Sequence, residues 1–225
     1  RITNLWFRHF DVSRDTRLAN FILPTVENES LWPTFDECEG CSNDVTEFLI
    51  EMYLSHRFDL LGSGWVRNAY DSTCLGLEGS RYESLLEISS FDPKGEWLSG
   101  LLRPAHVGRS MESWALINDQ NYKPIDWQRD FKSGYRWSQR DWYKDLAIIR
   151  MPGVDIKVPW ELARLQHLPR MALLVQKRPQ FQESVIREFR SEVLDFIATN
   201  PPRMGVNWVC TMDVSIRVSN ILLSY

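Results

Sequence analysis

The chain has 225 residues, 44% of them hydrophobic, so it is long enough to bury a sizeable core. Its formal net charge is only −4, with both signs interspersed, which argues against a nucleic-acid surface as the main partner. No apolar run approaches the roughly 20 residues that span a bilayer, so no membrane span is expected. The aromatic share of 12% suits a carbohydrate-binding protein or a core rich in large rings.

Residues 1–55 begin without an initiator methionine or the hydrophobic stretch of a signal peptide. We therefore expect an internal piece of a longer protein, with any export signal outside it. The segment predicts loops and short helices, one of which should include Phe48 to Tyr53. Cys38 and Cys41 form a C-x-x-C pair, but without a second pair or clustered histidines this is a weak zinc or redox signal. Unrelated thiols are the interpretation we favour.

Turn-forming residues divide the next part of the chain. Gly62 and Gly64 predict a turn after a short apolar strand or helix end, and His56 is expected to be a packing residue. Glycine and proline recur too often between residues 71 and 119 for long helices, so the region 71–145 is predicted to be irregular. Residues 124–143 alternate aromatic rings with cations, which could line a groove for an anionic glycan. A loop that packs its rings against neighbouring helices is favoured for most of them.

Residues 155–168 concentrate groups that can bind a sugar acid. A helix that opens at Pro159 would place Trp160, Arg164 and His167 within roughly 60° of one another. An indole stacks on a sugar ring, a guanidinium grips a carboxylate or sulfate, and an imidazole carries a proton near neutral pH. Spacing alone favours the alternative, a surface helix in which the arginine pairs with the preceding glutamate and the histidine fills an interface.

Two helices are predicted beyond this stretch. Residues 181–199 have the clearest amphipathic pattern, which ends at a proline pair. The apolar stripe consists of Val185, Ile186, Phe189, Val193, Phe196 and Ile197. The opposite, charged face consists of Glu183, Arg187, Arg190 and Glu192. Residues 208–225 follow Asn207, a plausible N-cap, and are apolar in nearly every direction, so this helix should be buried on most sides. Asp213 and Arg217, four residues apart on it, most simply pair with each other.

Helix, loop and helix at this spacing predict a mainly α fold of stacked helical hairpins, because no alternating strand pattern competes. The sequence contains no GxGxxG, P-loop or G-x-S-x-G motif. Nucleotide-binding and serine-hydrolase sites are therefore not indicated.

Four segments of the sequence carry a resemblance: FDLLGSG, IDWQRDFKSGYRW, DIKVPWELARLQHL and NPPRMGVNWVCTMDVSIRVSNILLSY. In this order, over roughly residues 56–225, they resemble the heparinase II/III-like polysaccharide lyases. The resemblance implies an incomplete (α/α) toroid over 56–225, truncated at its C-terminal end, after an irregular or helical extension at 1–55. It also implies β-elimination on an acidic, uronic-acid-containing polysaccharide, such as a glycosaminoglycan or alginate, in the periplasm or outside the cell.

The resemblance implies roles for individual residues as well. Asn207 matches the asparagine that neutralises the substrate carboxylate. The other matched residues are expected to shape the cleft or grip the substrate: Lys157, Trp160, Glu161, Arg164, His167 and Trp208. The tyrosine and histidine that transfer the proton in this family generally follow the G-x-N-W element, so the chain is expected to hold only part of an active site. No metal or cofactor is expected.

Two other classes of function stay open. One is a non-catalytic helical module that binds glycans or assists polysaccharide assembly, which would keep the cleft without the proton-transfer pair. The other, weaker alternative is a glycoside hydrolase on a similar scaffold. That chemistry needs two carboxylates across a cleft, and the sequence offers no convincing pair.

Overall fold

The computed structural model describes residues 43–76, 79–82, 92–146 and 151–225. Within these ranges the chain forms seven α-helices and one two-stranded sheet, so the predicted mainly α fold is confirmed. The toroidal arrangement of those helices stays a prediction. Cys38 and Cys41 lie outside the described residues, as does most of the region 1–55.

The elements are numbered in chain order. The helices are α1 (Asn43–Leu54), α2 (Leu98–Leu101), α3 (Pro104–Trp114), α4 (Lys157–Ala163), α5 (His167–Lys177), α6 (Gln182–Thr199) and α7 (Thr211–Ser224). Short 3-10 turns at Pro179–Phe181 and Val206–Trp208 precede α6 and α7. Strands β1 (Arg57–Phe58) and β2 (Val66–Arg67) pair antiparallel, with Phe58 opposite Val66. In the part of the chain described, no helix combines the length and apolarity needed to cross a bilayer.

Two clusters of buried side chains hold these elements together. The larger lies between α1, the small sheet, α4, α5 and α6, with Phe58, Trp127 and Met171 fully buried in it. The second joins α2 and α3 to α6 through Leu102, Trp114 and Ala198. Burying apolar surface stabilises the fold by roughly 25 cal/mol per Å², so the large side chains of these two clusters contribute most of the packing energy.

The region 71–145 is less irregular than predicted. Helix α3 spans 11 residues within it and begins at Pro104, where a missing backbone N–H has no cost. Trp114 at its end is 1% exposed, and its indole Nε1 donates to Asp92 O over 3.1 Å. Packing against α6 thus stabilises α3, although the glycine and proline content of this region argued against a helix here.

Helix α6 lies where the pattern placed it, within one residue at its start, and ends at Thr199 as predicted. Its buried face, however, differs from the predicted apolar stripe. Ile186 and Ile197 are 57% and 51% exposed, whereas Glu188, Glu192 and Asp195 are buried. The acidic side chains face inward because histidine and tyrosine side chains from other parts of the chain meet them there.

Helix α7 contradicts the expectation of burial on most sides. Four apolar residues on it are exposed, namely Met212, Val218, Leu222 and Leu223. Its buried residues are Asp213 and Arg217, which do not form the predicted pair. Asp213 forms an ion pair with Arg164, and Arg217 donates to the backbone carbonyls of Ala163 and Asn207. The helix also begins at Thr211, because residues 206–208 form a 3-10 turn and Cys210 is extended.

Candidate functional site

Residues 155–168 form two helices instead of one. Helix α4 begins at Lys157, two residues before Pro159, and α5 begins at His167. Between them Leu165 adopts a φ of 57°, a left-handed conformation that costs roughly 1–2 kcal/mol in a residue with a Cβ. Its side chain is fully buried, which offsets that strain. Trp160 therefore does not share one helical face with His167.

The guanidinium of Arg164 is hydrogen-bonded to two side chains of the protein. Its Nε donates to Asp213 Oδ1 over 2.7 Å, and its Nη1 donates to Glu161. The backbone carbonyl of Arg164 also accepts a hydrogen bond from Asn220 Nδ2 at 2.7 Å. The arginine thus ties α4 to α7, and the pairing with the preceding glutamate that spacing favoured is present.

The stretch 155–168 touches the G-V-N-W turn directly. The indole Nε1 of Trp160 donates to Val206 O over 2.9 Å, and the ring is only partly exposed. Trp208 is also partly buried, with the Arg217 guanidinium 5.6 Å from its ring centre. Lys157 is exposed. The structure therefore places Trp160, Trp208 and Arg164 around one junction, the contact between α4 and the 206–208 turn. His167 lies outside this junction.

Asn207 lies at the centre of this junction and is 1% exposed. Its Nδ2 donates to Trp127 O at 2.8 Å and to Asn200 Oδ1 at 2.9 Å, so both amide hydrogens are in use. Its Oδ1 is buried without a hydrogen-bond donor. Asn200 Oδ1 accepts a second bond, from Gln128 Nε2 at 2.7 Å. Asn207 is therefore held by side-chain and backbone groups of distant segments, and it does not cap α7.

The backbone before Asn207 requires a glycine. Gly205 has φ 81° and ψ −179°, a region that only glycine occupies readily. A Cβ there would lie 2.6 Å from Gln128 Oε1, which accepts a hydrogen bond from Val206 N at 2.9 Å. The Gln128 side chain thus fixes the turn that carries Asn207.

The aromatic and basic residues of 124–143 mostly face the interior. Trp127, Trp137 and Trp142 are at most 5% exposed. Arg136 Nε donates to both Asp126 oxygens at 3.0 and 2.9 Å. Burial alone would lower the pKa of the guanidinium, but the charge of Asp126 outweighs burial and raises that pKa. These positions agree with the interpretation we favoured, a loop that packs its rings against neighbouring helices.

Two cavities open near the predicted residues. The smaller, about 240 Å³, is lined partly by Glu161 and His167, together with Arg170. The larger, about 420 Å³, has side chains that include His56, Arg57, Arg67, Tyr122, Lys123 and Glu188 in its wall. Asn207 lines neither of them.

Both buried histidines bond to carboxylates of α6. His56 Nε2 lies 2.7 Å from Glu188 Oε1, and His167 Nε2 lies 2.5 Å from Glu192 Oε2. Burial alone would lower the pKa of His56, but the hydrogen bond and charge of Glu188 outweigh it and raise that pKa. Burial lowers the pKa of His167 to about 3 and raises that of Glu192.

A third buried carboxylate completes this face of α6. Asp195 Oδ2 accepts hydrogen bonds from Tyr122 Oη at 2.9 Å and Ile125 N at 2.8 Å, yet burial raises its pKa to about 7. Sequence reasoning missed this acidic cluster of Glu188, Glu192 and Asp195. The signal was present in the spacing, since positions i, i+4 and i+7 share one face of a helix.

Comparisons of the chain with protein-family models, with curated proteins and with solved structures gave no match. The site is therefore interpreted from its own residues and from the sequence segments that they occupy.

Proposed function

We propose that this chain is part of a polysaccharide lyase that cleaves an acidic, uronic-acid-containing polysaccharide by β-elimination, in the periplasm or outside the cell. The proposal rests on the heparinase II/III-like segments of the sequence. The single structural observation in its support is the meeting of three of those segments around Asn207. Trp127 comes from the second of the four segments, Trp160 from the third, and Asn207 from the fourth.

The reaction sets a specific electrostatic task. A base removes the C5 proton of the uronic acid, the electron pair forms the C4–C5 double bond, and the C4–O bond breaks while an acid protonates the leaving oxygen. The adjacent carboxylate opposes the negative charge that develops at C5. An amide N–H donated to that carboxylate stabilises the enolate-like transition state more than the ground state, which is how it would accelerate the step.

Asn207 has to exchange one hydrogen-bond partner to perform this task. The bond to Asn200 is the one it can release at least cost, because Asn200 Oδ1 keeps its bond from Gln128 Nε2. Asn207 Oδ1 has no donor in the part of the chain described, so the present orientation of the amide leaves one polar atom unsatisfied. Substrate binding must also open the 205–208 turn to solvent, since Asn207 is 1% exposed.

The test uses the complete protein, a panel of uronic-acid polymers and the ultraviolet absorbance of the unsaturated product. We expect heparan sulfate, hyaluronan or alginate to yield that absorbance. Asn207→Ala should lower kcat by about 10²–10³-fold while polymer binding persists. Asn207→Asp should be at least as impaired, because a carboxylate cannot donate and repels the substrate acid.

The matched control is Asn220→Ala, which also deletes an amide that donates to a backbone carbonyl, that of Arg164. It should keep turnover near that of the wild type after correction for folded protein. Wild-type turnover in Asn207→Ala would contradict the assignment of Asn207, and failure of every polymer to yield unsaturated product would contradict the lyase itself.

A second function, a non-catalytic glycan-binding or polysaccharide-assembly module, is favoured by one observation. The polar groups of Asn207, Arg164 and His167 are committed to partners inside the protein. Such a module would bind an acidic polymer, in a gel-shift or calorimetric assay, without producing ultraviolet absorbance. Binding without product from the complete protein would therefore favour it over the lyase.

A further inference from the structure

Three potential metal ligands converge beside the larger cavity. The carboxylates of Glu188 and Glu192, one turn apart on α6, and the imidazole of His56 each offer an atom within 4.8 Å of the other two. All three residues are buried, at 5% exposure for His56, 9% for Glu188 and 0% for Glu192. Atoms bound to one zinc or manganese ion at about 2.0–2.2 Å are separated by roughly 3–4 Å, so only small side-chain shifts would be needed.

An unpartnered oxygen points to a missing ligand at this cluster. Glu192 Oε2 contacts His167, but Glu192 Oε1 has no hydrogen-bond partner, and its side chain is fully buried. A buried carboxylate oxygen without a donor or cation is costly, so native proteins rarely leave one.

Charged side chains of both signs surround this cluster. Three carboxylates, those of Glu188, Glu192 and Asp195, face inward on α6. His56 supplies the closest cationic group, and the side chains of Arg57, Arg67, Lys123 and Arg187 also line the adjoining cavity. Two ionised carboxylates, those of Glu188 and Glu192, would balance the charge of one divalent cation held between them.

We propose that His56, Glu188 and Glu192 form a binding site for a divalent transition-metal ion. One imidazole with two carboxylates suits zinc, manganese or cobalt better than magnesium or calcium, which prefer oxygen ligands alone. Three protein ligands leave a coordination position free. His56 and Glu188 also line the 420 Å³ cavity, so an ion would have a route from solvent.

The experiment measures metal binding directly and needs no catalytic assay. The complete protein is stripped with a chelator and titrated with ZnCl₂ or CoCl₂, followed by calorimetry, thermal unfolding and elemental analysis. We expect one equivalent of metal per chain, a higher Tm with metal, and visible absorption bands of cobalt bound by nitrogen and oxygen ligands.

Glu192→Gln is the decisive variant because it replaces a ligand carboxylate by an amide of nearly the same size and shape. The metal-free variant should fold at least as stably as the wild type, yet bind cobalt or zinc at least tenfold more weakly. Glu183→Gln, an exposed substitution on the same helix, is the matched control and should leave binding unchanged.

Two results would overturn the proposal. One is a stripped wild-type protein that takes up no zinc or cobalt and keeps its Tm when they are added. The other is a Glu192→Gln variant that binds them as tightly as the wild type. Neither result depends on lyase activity, so failure here is distinct from failure of the proposed function.

Discussion

Arg164 Nε donates to Asp213 Oδ1 over 2.7 Å, and this ion pair joins the end of α4 to the first turn of α7. The Asp213 side chain is 1% exposed, whereas Glu161, the other partner of Arg164, is 22% exposed. The two ion pairs of one arginine therefore lie in different environments. A charge is held more tightly where water cannot replace its partner.

Breaking the buried ion pair should cost far more stability than breaking the partly exposed one. Arg164→Met removes the partner of a buried carboxylate and should lower the free energy of unfolding by about 3 kcal/mol in urea denaturation. Glu161→Gln keeps the bond to Asp213 and should lower it by no more than about 0.5 kcal/mol. Equal losses in the two variants would mean that burial does not set the strength of these pairs.

Gly205 should tolerate no side chain. In Gly205→Ala the new Cβ would meet Gln128 Oε1 at 2.6 Å in a backbone region suited only to glycine, so we expect a loss of roughly 3 kcal/mol. Gly62 is the control because it also has a positive φ, 75°, but nothing lies within 4 Å of its Cβ position. Gly62→Ala should cost only about 1 kcal/mol. Similar values by chemical denaturation would show that contact with Gln128 is unimportant.

The bounds of α6 could be predicted from local pattern to within one residue, but the inward face of this helix could not. The end of α6 at residue 199 follows from the proline pair that comes next. Its buried carboxylates depend on partners far away in sequence, since His56 precedes Glu188 by 132 positions. Periodicity assigns charged residues to solvent by default, and so it misplaced this face.

The same limit applies to the candidate site. The G-V-N-W segment drew attention to Asn207, yet Trp127, which accepts its hydrogen bond, is 80 residues earlier. The apolar composition of α7 suggested burial, but Asp213 and Arg217 turn inward to groups 49 and 54 residues before them. Polar contacts between distant segments leave no periodic signal, so the sequence alone could not place these side chains.

Tyr122 should matter through its hydroxyl group, which donates to the buried Asp195. Tyr122→Phe should lower the free energy of unfolding by about 2 kcal/mol, as for a bond to a charged acceptor. Burial raises the pKa of Asp195 to about 7 from 3.8, so the carboxylate is protonated below pH 7 and ionised above it. The hydrogen bond from the Tyr122 hydroxyl stabilises the ionised carboxylate more than the protonated one. The loss of unfolding free energy in Tyr122→Phe should therefore be larger at pH 8.5 (about 1.5 units above that pKa) than at about pH 5.5.

Tyr82→Phe provides the control for that measurement. The Tyr82 hydroxyl donates to Pro152 O at 2.9 Å in an exposed position, where water can take its place. Its loss should change stability little at any pH. A Tyr122→Phe deficit that is the same at both pH values would contradict the assigned titration of Asp195.

Arg217 should not be replaceable by lysine. Its guanidinium donates to Ala163 O and, at 2.9 Å, to Asn207 O, and it stacks 4.2 Å from the centre of the Phe196 ring. Burial lowers its pKa to about 10, so it stays charged at neutral pH. A lysine ammonium is a compact group that cannot reproduce the planar fork between the two carbonyls.

Both Arg217→Lys and Arg217→Met should therefore lower the free energy of unfolding by about 2–3 kcal/mol, measured by guanidinium denaturation. The exposed Arg190→Lys on α6 should leave it unchanged. Wild-type stability in Arg217→Lys would show that positive charge alone holds the turn of Asn207. A loss as large as that of Arg217→Met would show that the two directed hydrogen bonds fix the position of this asparagine.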